Sequence, residues 1–534
     1  MRAVTGTDTA RRLSWWGWGY EDEALGRDEV ERLAALVGPL LSLDNLTARP
    51  APRIEEVDLP HPRVAPPATL RAISSDDRRD RAAHAYGRSF ADVVRAFEGR
   101  IEHPPDLVLR PRSEAEVAHA LEWCTEQRIA CIPFGGGTSV VGGVEPAVGD
   151  TYKAAVSLDM RAMGRVLEVD ITSRAARIEA GVLGPELERQ LAPHRLTMRH
   201  YPQSFQFSTL GGWLATRSGG HYATLHTHID EFVESMRVLT PRGAIETRRL
   251  PASGAGPSPD RLFLGSEGIL GVITQAWMRL QQPPTHRAQA ALRCRDFDDA
   301  VAATRVVAQY GLNPANCRLL DHLEALVSGA GDGSASLLLL GFESHDHPCD
   351  TPLARAVEIG WDHNGIPQER NQHNAADDAT STWRNAFLRA PYIRDALVAM
   401  GVISETFETA TTWDNFARLH QRILQAARDH IGKGLVSCRF SHVYPDGPAP
   451  YYTVIAASRP GDQLAQWRDV KQVVSDAIIE GGGTITHHHA VGRDHRPWYD
   501  RQRPPLFAEA LRSVKRTLDP AGILNPGVLI DPLD

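Results

Sequence analysis

The segment Pro133-Phe134-Gly135-Gly136-Gly137-Thr138-Ser139 joins a glycine triplet to two hydroxyl side chains, a combination suited to holding an anion. A glycine lacks a Cβ, so it reaches φ > 0 and lets successive backbone N–H groups converge on a phosphate. Two further turns repeat the theme. One runs from Pro202 through Ser204, Ser208 and Thr209 to Gly211 and Gly212; the other joins Glu267 and Gly268 to Gly271, Val272 and Ile273. No lysine follows the triplet as a P-loop requires, and the glycine spacing is not that of a Rossmann fingerprint. Any one such turn more often simply reverses the chain. The three in series predict one dinucleotide site, and a flavin on another fold fits them best.

A second constellation lies between Gly481 and Gly492, where His487, His488 and His489 stand together in a glycine-flanked turn. Adjacent imidazoles there can donate and accept protons near neutral pH, although a purely structural turn fits the same residues. A metal site is not predicted, because ligand pairs usually converge at i and i+4 on a helix or i and i+2 on a strand. Tyr444 ends an apolar strand and reads by default as a core ring with a satisfied hydroxyl. Arg318 and Arg394 offer guanidinium forks for a phosphate, or salt bridges to Asp321 and Asp395. His221, His226 and His228, and the group His345, His347 and Cys349, are expected in surface loops.

The elements that must position these groups follow from periodicity. A helix over Ser113–Arg128 and a strand over Ile129–Pro133 lead into the glycine triplet, and alternating short strands and helices continue to about Pro284. Gln281-Gln282-Pro283-Pro284 breaks the chain. Beyond it, strands at Ala288–Arg293, Asn316–Asp321, Ser336–Phe342, Leu435–Tyr444 and Tyr451–Ala457 alternate with helices, among them Asp296–Tyr310 and Trp413–Ile431. Few-stranded antiparallel sheets backed by helices fit this order. The division predicted is an N-terminal helical arm (1–94), a cofactor module (95–283), a cap (284–490) and a C-terminal helical segment returning to the cofactor module (491–534).

With 534 residues, 42% of them hydrophobic and 23% charged, the chain exceeds one core and can enclose a cofactor. A net charge of −8 argues against nucleic acid as a partner. Six scattered cysteines fit a reducing cytoplasm rather than a zinc ribbon or a disulfide scaffold. Nowhere do about eighteen apolar residues run together, so no membrane span is expected. Peripheral membrane contact and a homodimer stay compatible with the sequence.

The order of the three glycine-rich turns resembles the FAD-binding module of the vanillyl-alcohol-oxidase, or p-cresol-methylhydroxylase (PCMH), type flavoproteins. More narrowly, the chain is similar to the alkylglycerone-phosphate synthase family over nearly its whole length. The likeness is carried by Gln203–Trp213, Arg318–Asp321, Tyr392–Asp395, Glu405–Thr409 and Gly481–Gly492. It implies an α+β, two-domain FAD-binding fold with an antiparallel-sheet cap. It implies noncovalent FAD, because Pro133–Gly143 holds no histidine or cysteine for attachment. It implies acyl-dihydroxyacetone phosphate and a long-chain alcohol as substrates, Tyr444 and His489 as the preferred proton-handling pair within a site that includes His487 and His488, and Arg318 and Arg394 on the phosphate. Two alternatives stay open: an FAD-linked 2-hydroxy-acid dehydrogenase, which the tail Asp519–Gly527 resembles, and a flavin-binding protein without turnover.

Overall fold

The structure is a computed structural model that describes residues 11–222, 228–368, 379–459 and 461–533. Ser113 caps a helix over Glu114–Gln127 by accepting from the Glu116 N–H, and Arg128 ends it in the left-handed region. That stop delivers the strand Ile129–Phe134, which pairs in parallel with Ala154–Asp159 inside a four-stranded sheet. The glycine triplet leaves this strand at its carboxyl end. A second sheet of five antiparallel strands, ordered Val166–Asp170, Ala175–Glu179, Val272–Arg279, Val233–Thr240 and Gly243–Glu246, carries the other two turns at its margin.

The cap differs from the expected few-stranded sheets. Seven strands form one antiparallel sheet, from the edge strand Gly365–Pro367 through His286–Cys294, Ser336–Ser344, Asn316–Leu320, Gly434–Val443 and Pro448–Ala457 to Val402–Glu408. Neighbours in this sheet lie far apart in the chain, so local pattern does not reveal that they close into one surface. Strand alternation then sorts the faces. Leu319 and Phe440 are cross-strand partners and point into the helix-backed core, which places Arg318 and Arg439 on the opposite face.

The arm is tied to both units. Val37 and Leu41 of the helix Arg27–Leu41 pack on Leu397, Met400 and Val402 of the cap, while Trp18 joins Phe207 and Tyr392. Trp15 and Trp18 of the arm are both buried and so serve internal packing. At the other end, Leu511 of the helix Pro505–Leu518 packs into the cluster around Trp213 and Met278. Buried Lys515 donates to the Ile269 and Leu524 carbonyls and to Asp519, binding the tail to the third glycine turn. Among the described residues no helix is long and apolar enough to cross a membrane.

Candidate active site

The three turns open on one chamber between the first unit and the cap. Every predicted cofactor residue lines it: Pro133 and Gly135 to Ser139; Pro202, Ser204, Ser208, Thr209, Gly211 and Gly212; Glu267, Gly268, Gly271, Val272 and Ile273. Gly137 adopts φ +66°, and a Cβ on Gly136 would strike the Phe207 carbonyl oxygen, so the first turn is locked against the second by backbone contact. Gly136→Ala is therefore expected to cost about 1–3 kcal/mol through overpacking, read as a lowered urea midpoint. Thr209 caps the helix Leu210–Thr216. In the third turn, burial raises the Glu267 carboxyl to about 7. Glu267 accepts from the Val491 and Gly492 N–H groups at 2.9 and 2.8 Å, which fastens the segment just after the histidine triplet to the cofactor turn.

The triplet is organised by a residue that sequence reading left without a role. Glu408, buried at the end of the strand Val402–Glu408, turns one carboxylate oxygen on Thr486 Oγ1 at 2.7 Å and on the N–H groups of His487, His488 and His489 at 3.1, 2.8 and 2.5 Å. Its other oxygen lies 2.5 Å from His488 Nδ1. Burial alone would raise this carboxyl, but the charge and hydrogen bonding of His488, with His489 close by, hold it well below its usual range. Three successive N–H groups on one anion form a nest that fixes the path of the turn. The signal was present: Glu408 belongs to the motif Glu405–Thr409, but its partners are nearly eighty residues further along.

The three imidazoles do different things. His488 and His489 line the chamber; His487 and Tyr444 stand behind them. The Tyr444 hydroxyl pairs with His487 Nε2, and His487 Nδ1 meets His488 Nδ1 at 2.9 Å. The turn rotates successive side chains apart, so the residue that reaches back to the strand carrying Tyr444 is the first of the three. Burial depresses His487 strongly and brings His489 down to about 4, so both rings are neutral at physiological pH. His442 adds a further neutral ring, its Nε2 donating to the Gly220 carbonyl and its centroid 4.8 Å from that of His487.

The two predicted anion clamps also separate. Arg318 is buried on the chamber wall and donates to the His221 carbonyl at 2.9 Å, while its Nε has no hydrogen-bond partner among the described residues. It makes no ion pair with Asp321, which instead caps the helix His322–Val327. Arg394 also borders the chamber, but its guanidinium is engaged by Asp395 at 2.8 Å and by the Arg88 carbonyl. Arg439, unread in the sequence, sits on the same sheet face as Arg318, paired with Glu324 and stacked 3.9 Å over Tyr451.

His221 corrects another expectation, since it is buried rather than held in a surface loop, while His228 is half-buried. His221 is buried in the chamber wall against Trp383, and the His228 ring lies 4.8 Å from that of His487. His226 falls outside the described residues. His345 and His347 are exposed at a strand end, whereas Cys349 is buried in the core behind them. Two groups, His442/His487/His488 and Glu408/His488/His489, bring potential ligand atoms within 4.8 Å of one another. The Glu408, His487 and His488 atoms at their centre already bond one another or the turn, which suits a proton network.

The donor set fits FAD. Glycines and small hydroxyls of the three turns, which suit a pyrophosphate, line the same chamber as the His221, His442 and His489 rings and the aromatic Trp383 and Phe387, which suit a flat ring. The model "FAD binding domain" matches residues 105–248, and "FAD linked oxidases, C-terminal domain" matches 283–529. An alkyldihydroxyacetonephosphate synthase of Dictyostelium discoideum is 32% identical, covering 98% of this chain and 94% of that protein. A solved alkyldihydroxyacetonephosphate synthase superposes with a TM-score of 0.81 at 27% identity, covering 96% of this chain and 98% of the other. p-Cresol methylhydroxylase shares the fold, with a TM-score of 0.68 at 14% identity over 87% of this chain and 95% of its own. FAD is thus the cofactor, and the chain belongs to the alkyldihydroxyacetonephosphate synthase family.

Proposed function

We propose that this chain is an FAD-dependent enzyme of ether-lipid synthesis that exchanges the acyl group of acyl-dihydroxyacetone phosphate for a long-chain alcohol. One observation carries the reading: a buried arginine and a neutral histidine line the same chamber that the three cofactor turns enclose. In the exchange the C1–O bond to the acyl group breaks, a C1–O bond to the alcohol forms, the fatty acid leaves as its carboxylate, and the alcohol gives up its proton. FAD, held noncovalently by the three turns, supplies an electron-poor ring that supports this substitution without net redox change. Arg318 grips the phosphate and fixes the ketone carbon. His489, uncharged and on the chamber wall, accepts protons; His488, tied to Glu408, holds its orientation, and the Tyr444–His487 pair behind relays them.

Trp383, Phe387 and Pro391 form an apolar wall beside Arg318, suited to a hydrocarbon chain. Half-exposed Leu388 lies on the helix Ala379–Ala399 that carries this wall, and half-exposed Leu326 and Val327 lie on the helix His322–Val327, which packs on Trp383 through Ala325; both support peripheral contact with a membrane surface. The six cysteines are all buried free thiols, in keeping with a reducing cytoplasm. Arm, FAD module, cap and returning tail are the units of this reading.

Anaerobic mixing tests it. The oxidised flavin band is expected to persist, or to return, after addition of palmitoyl-dihydroxyacetone phosphate and hexadecanol, and to be unaffected by lactate, glycolate or 2-hydroxyglutarate. Lasting bleaching by a 2-hydroxy acid would instead establish a dehydrogenase. The pH dependence is a second check. Because His489 is depressed to about 4, kcat should rise as pH climbs through that value and stay level above it. A break near the ordinary imidazole value of 6.5 would show that the working base is not this buried ring.

A further inference from the structure

Arg439 presents one unfilled edge of a guanidinium to the chamber. Its strand Gly434–Val443 pairs with Pro448–Ala457, and Arg439 faces Tyr451 across that pair. The guanidinium carbon stands 3.9 Å from the centre of the Tyr451 ring and 5.9 Å from that of Phe387, and both rings line the chamber. Nη1 donates to Glu324, which offsets the cost of burying the cation and fixes its plane. Nε and Nη2 have no hydrogen-bond partner among the described residues. Unlike Arg318 Nε, neither belongs to the buried polar atoms sealed from water, so this edge is open. Its two N–H groups run parallel, the arrangement that meets both oxygens of a carboxylate.

Register sets Arg439 beside the other groups. Leu320 is its partner on the neighbouring strand, so Arg318, two residues back on the same face, is a diagonal neighbour at about 7–8 Å. Burial first, and then the charge of Arg439, bring Arg318 down to about 10, so the two cations lie within electrostatic reach. On the other side, the Tyr451 ring meets that of His489 with centroids 5.5 Å apart. Arg318, Arg439, Tyr451 and His489 thus follow one another along the wall. Acyl-dihydroxyacetone phosphate has a matching order: the phosphate and the ester sit at opposite ends of a three-carbon unit, and the hydrocarbon tail begins at the ester. Phe387 belongs to the apolar wall suited to that tail. One guanidinium edge matches a monoanionic carboxylate, whereas a phosphate dianion calls for more donors.

We infer that Arg439 receives the acyl leaving group: its Nε–H and Nη2–H bind the two ester oxygens, and they hold the fatty carboxylate formed as the C1–O bond breaks and its electron pair passes to the leaving oxygen. The inference rests on the synthase reading for its place in the reaction, but carboxylate binding is measured without turnover.

Calorimetric titration of the flavin-loaded protein with decanoate, decanol and dihydroxyacetone phosphate tests it. Arg439→Lys keeps a positive charge opposite Glu324 and removes the paired edge. Decanoate affinity should fall by about 10–100-fold, as for charge-assisted hydrogen bonds lost, while decanol and dihydroxyacetone phosphate bind as in wild type. If that variant does not retain flavin, Arg439→Gln combined with Glu324→Gln removes the ion pair as a unit and carries the same comparison. No decanoate binding by wild type, undiminished affinity in the variant, equal losses on all three compounds, or a loss confined to dihydroxyacetone phosphate would overturn the assignment. Arg439-dependent decanoate binding in protein that makes no ether would refute the synthase reading and leave this site standing; undiminished decanoate affinity in Arg439→Lys alongside active ether synthesis would do the reverse.

Discussion

His489→Ala should lower kcat for acyl-for-alkyl exchange by about 10³-fold, within the range for removing a positioned acid–base group, and leave FAD bound. The substitution spares the scaffold. Glu408 holds this residue through its backbone N–H, which alanine retains, and the cofactor turns contact the segment through Val491 and Gly492. What disappears is the neutral ring on the chamber wall. His488 cannot substitute readily, because its Nδ1 is committed to Glu408, and His487 faces away toward Tyr444. Steady-state rates together with the flavin spectrum of the purified variant measure the effect. Near-normal turnover with a full complement of flavin would remove His489 from the chemistry and move attention to His488.

Glu408→Gln is expected to damage both stability and rate. The native carboxylate satisfies a hydroxyl and three N–H groups with one oxygen and holds the other 2.5 Å from His488 Nδ1. Glutamine keeps the shape but loses the charge that both the nest and His488 answer. Weakening the hydrogen bonds that a buried carboxylate accepts costs about 1.5–3 kcal/mol, and the misplaced imidazoles should cut kcat by a further factor of about 10². The pH dependence has a definite sign. The folded Glu408 carboxyl lies below its ordinary 4.5, so its contribution is fully present above that value and is lost as pH falls through the folded pKa. The stability gap between wild type and variant should therefore be widest above about pH 5 and close in stronger acid. Denaturant midpoints across that window decide the matter; a gap independent of pH would mean that the ion pair contributes little.

The sequence exposes the cofactor end of this site more clearly than the catalytic end, for a physical reason. A glycine turn states its purpose locally: Gly136 and Gly137 are needed because the backbone there approaches Phe207 and enters the left-handed region, and both constraints act within a few residues. The histidine triplet is equally visible, but its division of labour is not. Which imidazole meets Tyr444 depends on Glu408, which lies on a strand whose place in the seven-stranded sheet is set by remote pairings. Arg318 and Arg394 looked equivalent. Asp395 adjoins Arg394 and bonds it, whereas Asp321 has left the strand of Arg318 to cap a helix, leaving that guanidinium without a carboxylate partner among the described residues. His221 was expected at the surface because its neighbours are polar; only the arrival of Asn316 and Trp383 from the cap buries it.

The central claim is tested most directly by product analysis. Purified flavin-loaded protein is incubated with palmitoyl-dihydroxyacetone phosphate and labelled hexadecanol, and lipid is extracted and treated with alkali. The account predicts label in an alkali-stable ether, palmitate released in equal amount, and neither product with His489→Ala. Palmitate release without ether, or label confined to alkali-labile ester, would contradict it.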